Sequence, residues 1–227
     1  MVRLRNLSRY IMIDGFMKCV LCQQRNGKRH CPGVRGYICP LCCGQEREVS
    51  IECPFECVYL QEAHRYELAR AEPATELPYA AHQIPDDFLQ EKKPFNGGLA
   101  VTLLQSALDT PGVVVDADLR AALDALIRTC ETLSSGLFYE TLPEGPARVN
   151  LYRELQNFVE NWRKEELRRA GMTVTRDADV LRSLVFLGRL AQAHDNRRAR
   201  GKSFLTFLRR LYPEAVARHS QSVIIPG

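Results

Sequence analysis

The chain has 227 residues, 45% of them hydrophobic and 26% charged, with a formal net charge of +4. This length suits one large domain or two small ones, and the composition excludes a wholly disordered chain, a collagen and a coiled-coil rod. No run approaches the ~20 apolar residues that a membrane span requires. Near the N-terminus, Arg3, Arg5 and Arg9 precede Ile11-Met-Ile13, but Asp14 and Gly15 cut that run before a signal-peptide core forms. A soluble, cytoplasmic protein is expected.

The charge falls into three blocks. Residues 1–70 carry 11 Lys/Arg against 7 Asp/Glu, residues 71–145 carry 4 against 12, and residues 146–227 carry 16 against 8. The plainer reading is that the acidic middle packs beside the basic end. The sharper one is that the basic end faces an anionic partner.

Eight of the nine cysteines lie between Cys19 and Cys57, and the ninth is Cys130. An odd total without a secretion signal reads as metal ligands rather than a disulfide framework. Cys19-Val-Leu-Cys22 and Cys39-Pro-Leu-Cys42 have the two-residue spacing of knuckles whose sulfurs reach one tetrahedral ion. Cys31 lies between them and Cys43 follows the second. Arg47–Glu52 alternates apolar and polar like a short half-buried strand. Cys53 and Cys57 then flank Pro54 at the start of a helical pattern running to Ala69, so the spacing predicts both thiols on its first turn.

A knuckle, a short hairpin and a helix supplying the last two ligands resemble the treble-clef zinc fingers over about residues 36–68. The spacing here is Cys-x3-Cys where Cys-x2-Cys is commoner. On that reading Cys39, Cys42, Cys53 and Cys57 form one site, leaving Cys19, Cys22, Cys31 and Cys43 for a second. An interleaved pairing is the alternative, with Cys19, Cys22, Cys39 and Cys42 as one site. The other would then be Cys31, Cys53, Cys57 and either Cys43 or a histidine, His30 or His64. Interleaving would resemble the cross-brace fingers, which serve protein recognition, so the resemblance spans about residues 19–68. Two Zn²⁺ ions are expected. All-thiolate sites are closed and electron-rich, which marks them as structural staples rather than catalytic centres. Two of them would bring the first charge block to about zero.

Residues 71–98, with four prolines and Gly97-Gly98, read as a linker or wrap containing one short helix at 86–92. A short helix follows at 99–108. Asp116 or Asp118 then caps a helix whose apolar stripe runs from Leu119 through Cys130 to Leu137, which makes Cys130 a buried structural thiol. Gly145-Pro146 opens a helix stopped by Gly171, with Tyr152, Phe158 and Trp162 as a core stripe. Another helix, capped by Asp177 or Thr175, carries Val180 to Leu190, and a last one runs from Ser203 to Leu211 before Pro213. The apolar tail at 222–226 is expected to dock on the body. The fold class is therefore mainly α: a zinc-binding module at 1–70, a Pro-rich linker at 71–98 and a helical bundle at 99–227.

There is no phosphate-binding Gly-rich loop, dinucleotide fingerprint, His-Glu-x2-His or Gly-x-Ser-x-Gly. The deaminase pattern is not met either. The leading expectation is a non-enzymatic interaction or regulatory protein whose helical domain binds a protein partner. The alternative is a nucleic-acid-binding protein using Arg25, Lys28, Arg29 and Arg35 with the loop carrying Arg197, Arg198, Arg200 and Lys202. A third reading is an enzyme with its site in the helical domain.

Overall fold

The computed structural model describes residues 12–13, 16–70, 77–110, 112, 114–137 and 139–222. Arg3, Arg5, Arg9 and residues 223–226 of the apolar tail lie outside them. The protein is mainly α-helical, with nine helices among the described residues. It divides into two compact units, Met1–Tyr66 and Glu67–Gly227.

The first unit holds two short antiparallel hairpins. β1 (Met12–Ile13) pairs with β2 (Phe16–Met17), and β3 (Arg29–Cys31) pairs with β4 (Gly36–Ile38) in the register Arg29–Ile38, His30–Tyr37, Cys31–Gly36. Two helices follow, α1 (Pro40–Glu46) and α2 (Val58–Ala69). The hairpin thus precedes the second knuckle instead of following it. Residues 47–52 turn rather than extend: the N–H groups of Val49, Ser50 and Ile51 all return to the Glu46 carbonyl. The expected strand there does not form, because Glu48 sits at φ +54 and reverses the chain. Nor does α2 begin at Pro54. Cys57 donates to the Pro54 carbonyl and itself accepts from Leu60 and Gln61, so Cys57 precedes the first turn and Cys53 lies outside the helix.

This unit has a small core. Its buried cluster consists of six cysteines (Cys19, Cys31, Cys39, Cys42, Cys43 and Cys53) with only Ile38, Ile51 and Leu60 besides. Three aliphatic side chains are few for a module of this size, and modules so poor in apolar burial usually need metals or disulfides.

The second unit is helical: α3 (Phe88–Glu91), α4 (Lys93–Asp109), α5 (Asp116–Ser134), α6 (Pro146–Ala170), α7 (Asp177–Ala193), α8 (Ser203–Leu211) and α9 (Pro213–Ser222). α5 packs on α6 and α7, while α4 packs on α6, α8 and α9. α4 begins six residues before the expected Leu99, so helix replaces the end of the predicted linker. Pro94 is tolerated in its first turn, where no N–H is required. Gly98 is dictated by packing, since a Cβ there would come within 2.3 Å of the Phe158 ring. Phe158 and Trp162 stack around Phe95 at 5.6 and 5.4 Å between ring centres, and Tyr152 is fully buried. That aromatic stripe is core, as its helical period implied. Leu133 and Leu137, by contrast, are exposed.

Helix termination also differs from expectation in instructive ways. α6 ends as foreseen on Gly171 in the left-handed conformation, φ +69. Pro213, expected as a stop, instead opens α9. Asp118 reaches back from the third turn position to the Val115 N–H at the start of α5, and Asp179 does the same to the Arg176 N–H in α7. Asp177 and Thr175 have other duties: Asp177 pairs with Arg163, and Thr175 donates through both N–H and hydroxyl to Glu166. Asp116 caps a different helix altogether. Its carboxylate accepts the Phe204 and Leu205 N–H groups at 2.8 and 3.0 Å, while its own N–H donates to the Gly201 carbonyl.

Many charges are spent internally. Arg148 and Arg153 pair with Asp118 and Glu140, joining the basic end to the acidic middle. Lys92 meets the buried Asp179 at 3.0 Å. Burial by itself raises the Asp179 carboxyl, but Lys92 and the Arg176 N–H outweigh it and hold the group below its ordinary value. Its contribution to stability is therefore present above about pH 4 and is lost as the pH falls through the lowered folded value. Arg189 clamps the turn at 78–82 by donating to the carbonyls of Pro78, Tyr79 and His82.

Candidate metal centre

The two knuckles converge. After β2, the chain loops so that Cys19 donates its N–H to the Arg25 carbonyl and Gln23 donates to Cys19, closing the first knuckle. The Val20 N–H then bonds the Tyr37 carbonyl at 2.9 Å, which lays this knuckle against the end of β4. β4 runs directly into Cys39, the N-cap of α1, whose sulfur accepts the Cys42 N–H at 3.4 Å. Cys39 and Cys42 thus bracket the first turn of α1, with Pro40 preset for a helix start.

The result is a cluster in which the sulfurs of Cys19, Cys22, Cys39 and Cys42 lie within 4.8 Å of one another. A tetrahedral zinc with ~2.3 Å bonds sets its sulfurs about 3.8 Å apart, so a small closing movement fits the donors to one ion. For these four residues the grouping is the interleaved one. The first pairing, Cys39 and Cys42 with Cys53 and Cys57, is overturned: β4 sets the first knuckle beside the second. The remaining partition, Cys19 and Cys22 with Cys31 and Cys43, falls with it.

The electrostatics of the cluster point the same way. The Cys22 thiol is held down at about 6, chiefly by the N–H groups of Arg25 and then Gln24 directed at its sulfur. Cys39 is also lowered, first by the Cys42 N–H. Cys42 moves oppositely, up to about 12, because the neighbouring Cys39 and then burial oppose a further thiolate. Backbone amides therefore favour thiolates while mutual repulsion resists completing the set. A dication at the centre removes that repulsion, and the donor set of four soft sulfurs suits a zinc-like ion. The residues between the ligands are Val20, Leu21, Pro40 and Leu41, and all four are exposed.

Of the other predicted ligands, Cys31, Cys43 and Cys53 are buried and Cys57 is half-buried; all four line a second void. His30 is exposed, with its ring edge-on to Tyr37. His64, the other candidate histidine, is buried and bonds the Glu48 carboxylate through Nε2 at 2.8 Å. Its position four residues after the buried Leu60 was the available signal. Cys130 belongs to the helical unit, where burial pushes its thiol up to about 11. It is half-buried rather than fully buried as its place in the stripe implied, and it is not one of the clustered thiols.

The predicted phosphate contacts differ in exposure. Arg25, Lys28, Arg35 and Arg197 are exposed, and Arg198 and Arg200 are half-buried. Arg29 lies over the Tyr59 ring at 4.4 Å. Lys202 is buried at the start of α8, away from any surface a phosphate would touch. In the helical unit, α4 and α6 flank an open groove of about 540 Å³ lined mostly by amides and hydroxyls, with the carboxylates of Asp109 and Glu154 and the Phe158 ring. No helix among the described residues is long and apolar enough to cross a membrane. No protein-family model matches the chain, and no curated protein or solved structure matches it either.

Proposed function

We propose that this chain is a non-enzymatic interaction protein whose N-terminal module is stapled by structural zinc, with eight thiols sufficient for two ions. The observation that carries the reading is the character of the first cluster. Four thiolates close the coordination shell, and the side chains between them are aliphatic and turned to solvent, with Val20 and Leu21 each 41% and Leu41 47% exposed. A catalytic zinc keeps an open position and a nearby acid or base. A phosphate-binding knuckle offers cations or donors at its tip. Exposed aliphatic residues held rigidly by a metal serve protein recognition instead, where a small apolar core ringed by polar groups carries the binding.

Nucleic-acid binding is the second reading, supported by the exposed Arg25, Lys28 and Arg35. Competing with it are the burial of Lys202 and the pairing of Arg148 and Arg153 with acids. The two readings separate in one titration of the zinc-loaded protein with mixed-sequence single- and double-stranded DNA and RNA at low salt. No saturable binding at micromolar concentrations is expected. Micromolar affinity whose logarithm falls linearly with log salt, at a slope of several phosphates, would replace the protein-binding reading. In parallel, a photocrosslinker at Val20 is expected to trap a protein partner in cells. Leu21→Asp with Leu41→Asp is expected to abolish that adduct while leaving the metal content unchanged.

A further inference from the structure

Once the first cluster has taken its four sulfurs, Cys31, Cys43, Cys53 and Cys57 remain, and they do not scatter. They come from the end of β3, from α1 and from the turn preceding α2, and all four line one void of about 10 Å³ inside the finger. That is room for a single water-sized body. A buried water would need two to four good hydrogen-bonding partners. Besides the four thiols and three aliphatic side chains, the lining includes His30, Tyr59, Arg29 and Arg47. Four thiols around a one-atom space nonetheless suit a soft cation better than a water, because a thiol is a weak hydrogen-bonding partner and a good soft ligand.

Two further features fit that occupant. Cys53 takes the Glu48 N–H on its sulfur and lies close enough to Cys31 and Cys57 to feel their charge. Arg29 and Arg47 reach the same void, and a tetrathiolate zinc is a −2 centre that neighbouring guanidinium groups offset. The adjacent pair Cys42-Cys43 also acquires a reason. Consecutive residues on a helix diverge by about 100°, so α1 sends Cys42 into the first cluster and Cys43 to the second void.

We propose that Cys31, Cys43, Cys53 and Cys57 hold a second zinc ion in a tetrathiolate site of their own. This deepens the zinc-staple reading and rests on it. The four sulfurs are not drawn within 4.8 Å of one another as the first four are; the ion closes the void and ties β3, α1 and the 53–57 turn together. Without such a tie, residues 47–57 form no helix or strand of their own. Two histidines compete as ligands. His30 lines the void but is exposed, with its ring edge-on to Tyr37. His64 has a buried Nδ1 without a partner while its Nε2 bonds Glu48, but it is not among the lining residues.

The test is native mass spectrometry of the full-length chain loaded with zinc, alongside ¹¹³Cd NMR of the cadmium-substituted wild type. Two ions per chain and two cadmium signals in the tetrathiolate range are expected. Cys31→Ser, Cys43→Ser, Cys53→Ser and Cys57→Ser should each halve the count, and Cys130→Ala should leave it at two. One ion in the wild type, lost in Cys22→Ser, would overturn the second site and leave the first standing. No ion at all would remove both. Two ions, with the count falling in His64→Gln but not in Cys43→Ser, would overturn the ligand set. The wild-type count and cadmium spectrum do not depend on any variant folding.

Discussion

Stripping the metal with a strong chelator under reducing conditions is expected to unfold the N-terminal unit and leave the helical unit intact. Among the described residues, the buried apolar cluster of the first unit holds only Ile38, Ile51 and Leu60 beside its cysteines, so little apolar burial opposes the conformational entropy of the chain. Structural zinc sites in such modules supply apparent binding energies of about 10–16 kcal/mol, which is folding energy for a site absent from the unfolded chain. The helical unit has its own core, with Leu99, Leu103, Leu119, Leu123, Leu151, Leu184 and Phe204 all buried. Hydrogen exchange resolved by peptide should therefore show protection lost across residues 19–66 and kept across α4 to α8. Acid acts in the same direction, because protons compete with the ion for each thiolate. Protection that survives complete metal removal would show that the finger folds on its own contacts.

Asp116→Ala is expected to damage the helical unit severely for a single polar substitution. The carboxylate is 2% exposed and accepts two N–H groups at the start of α8, eighty-eight positions away from the nearer of them. Its removal orphans both donors and cancels a favourable interaction of the charge with the α8 N-terminus. A cap loss of about 1 kcal/mol and a buried unsatisfied donor of about 1–3 kcal/mol combine to roughly 3 kcal/mol. For a unit of this size that corresponds to a fall in Tm of roughly 6–12 °C. Asp116→Asn keeps one acceptor oxygen and should lose about half as much. Because the N–H groups it accepts belong to α8 of the helical unit, neither variant is expected to alter metal content. Differential scanning calorimetry with elemental analysis reads both quantities.

Asp116 also shows where sequence reading reaches its limit. An acid at a helix start looks like that helix's own cap, and Asp118 does serve α5 in this way through the Val115 N–H. Asp116 lies two residues earlier on the same helix start but is aimed at α8 by tertiary packing, which no local pattern encodes. Gly97-Gly98 misleads in the same manner. The pair reads as a linker until the Phe158 ring is seen to occupy the space of a Cβ at Gly98. By contrast, the Pro146 start and Gly171 stop of α6 were legible, because both act through backbone conformation alone.

In the finger, the knuckle spacing declared which sulfurs pair locally but not which knuckles meet. That depends on the path of β4, which carries the Tyr37 carbonyl to the Val20 N–H and so brings Cys19 and Cys22 beside Cys39 and Cys42. His64 was hidden for a related reason. Its burial follows from the partnership with Glu48, whose left-handed conformation turns the chain where an alternating pattern promised a strand.

The most direct test of the metal-stapled finger is titration of the reduced, metal-free chain with Co²⁺, followed in the visible and near-ultraviolet. The predicted result is an intense spectrum of tetrahedral cobalt with sulfur-to-metal charge transfer, weakened by a single Cys22→Ser or Cys39→Ser substitution and untouched by Cys130→Ala. Weak, octahedral absorption unchanged by those substitutions would mean that Cys19, Cys22, Cys39 and Cys42 are packed thiols and that no metal holds the module together.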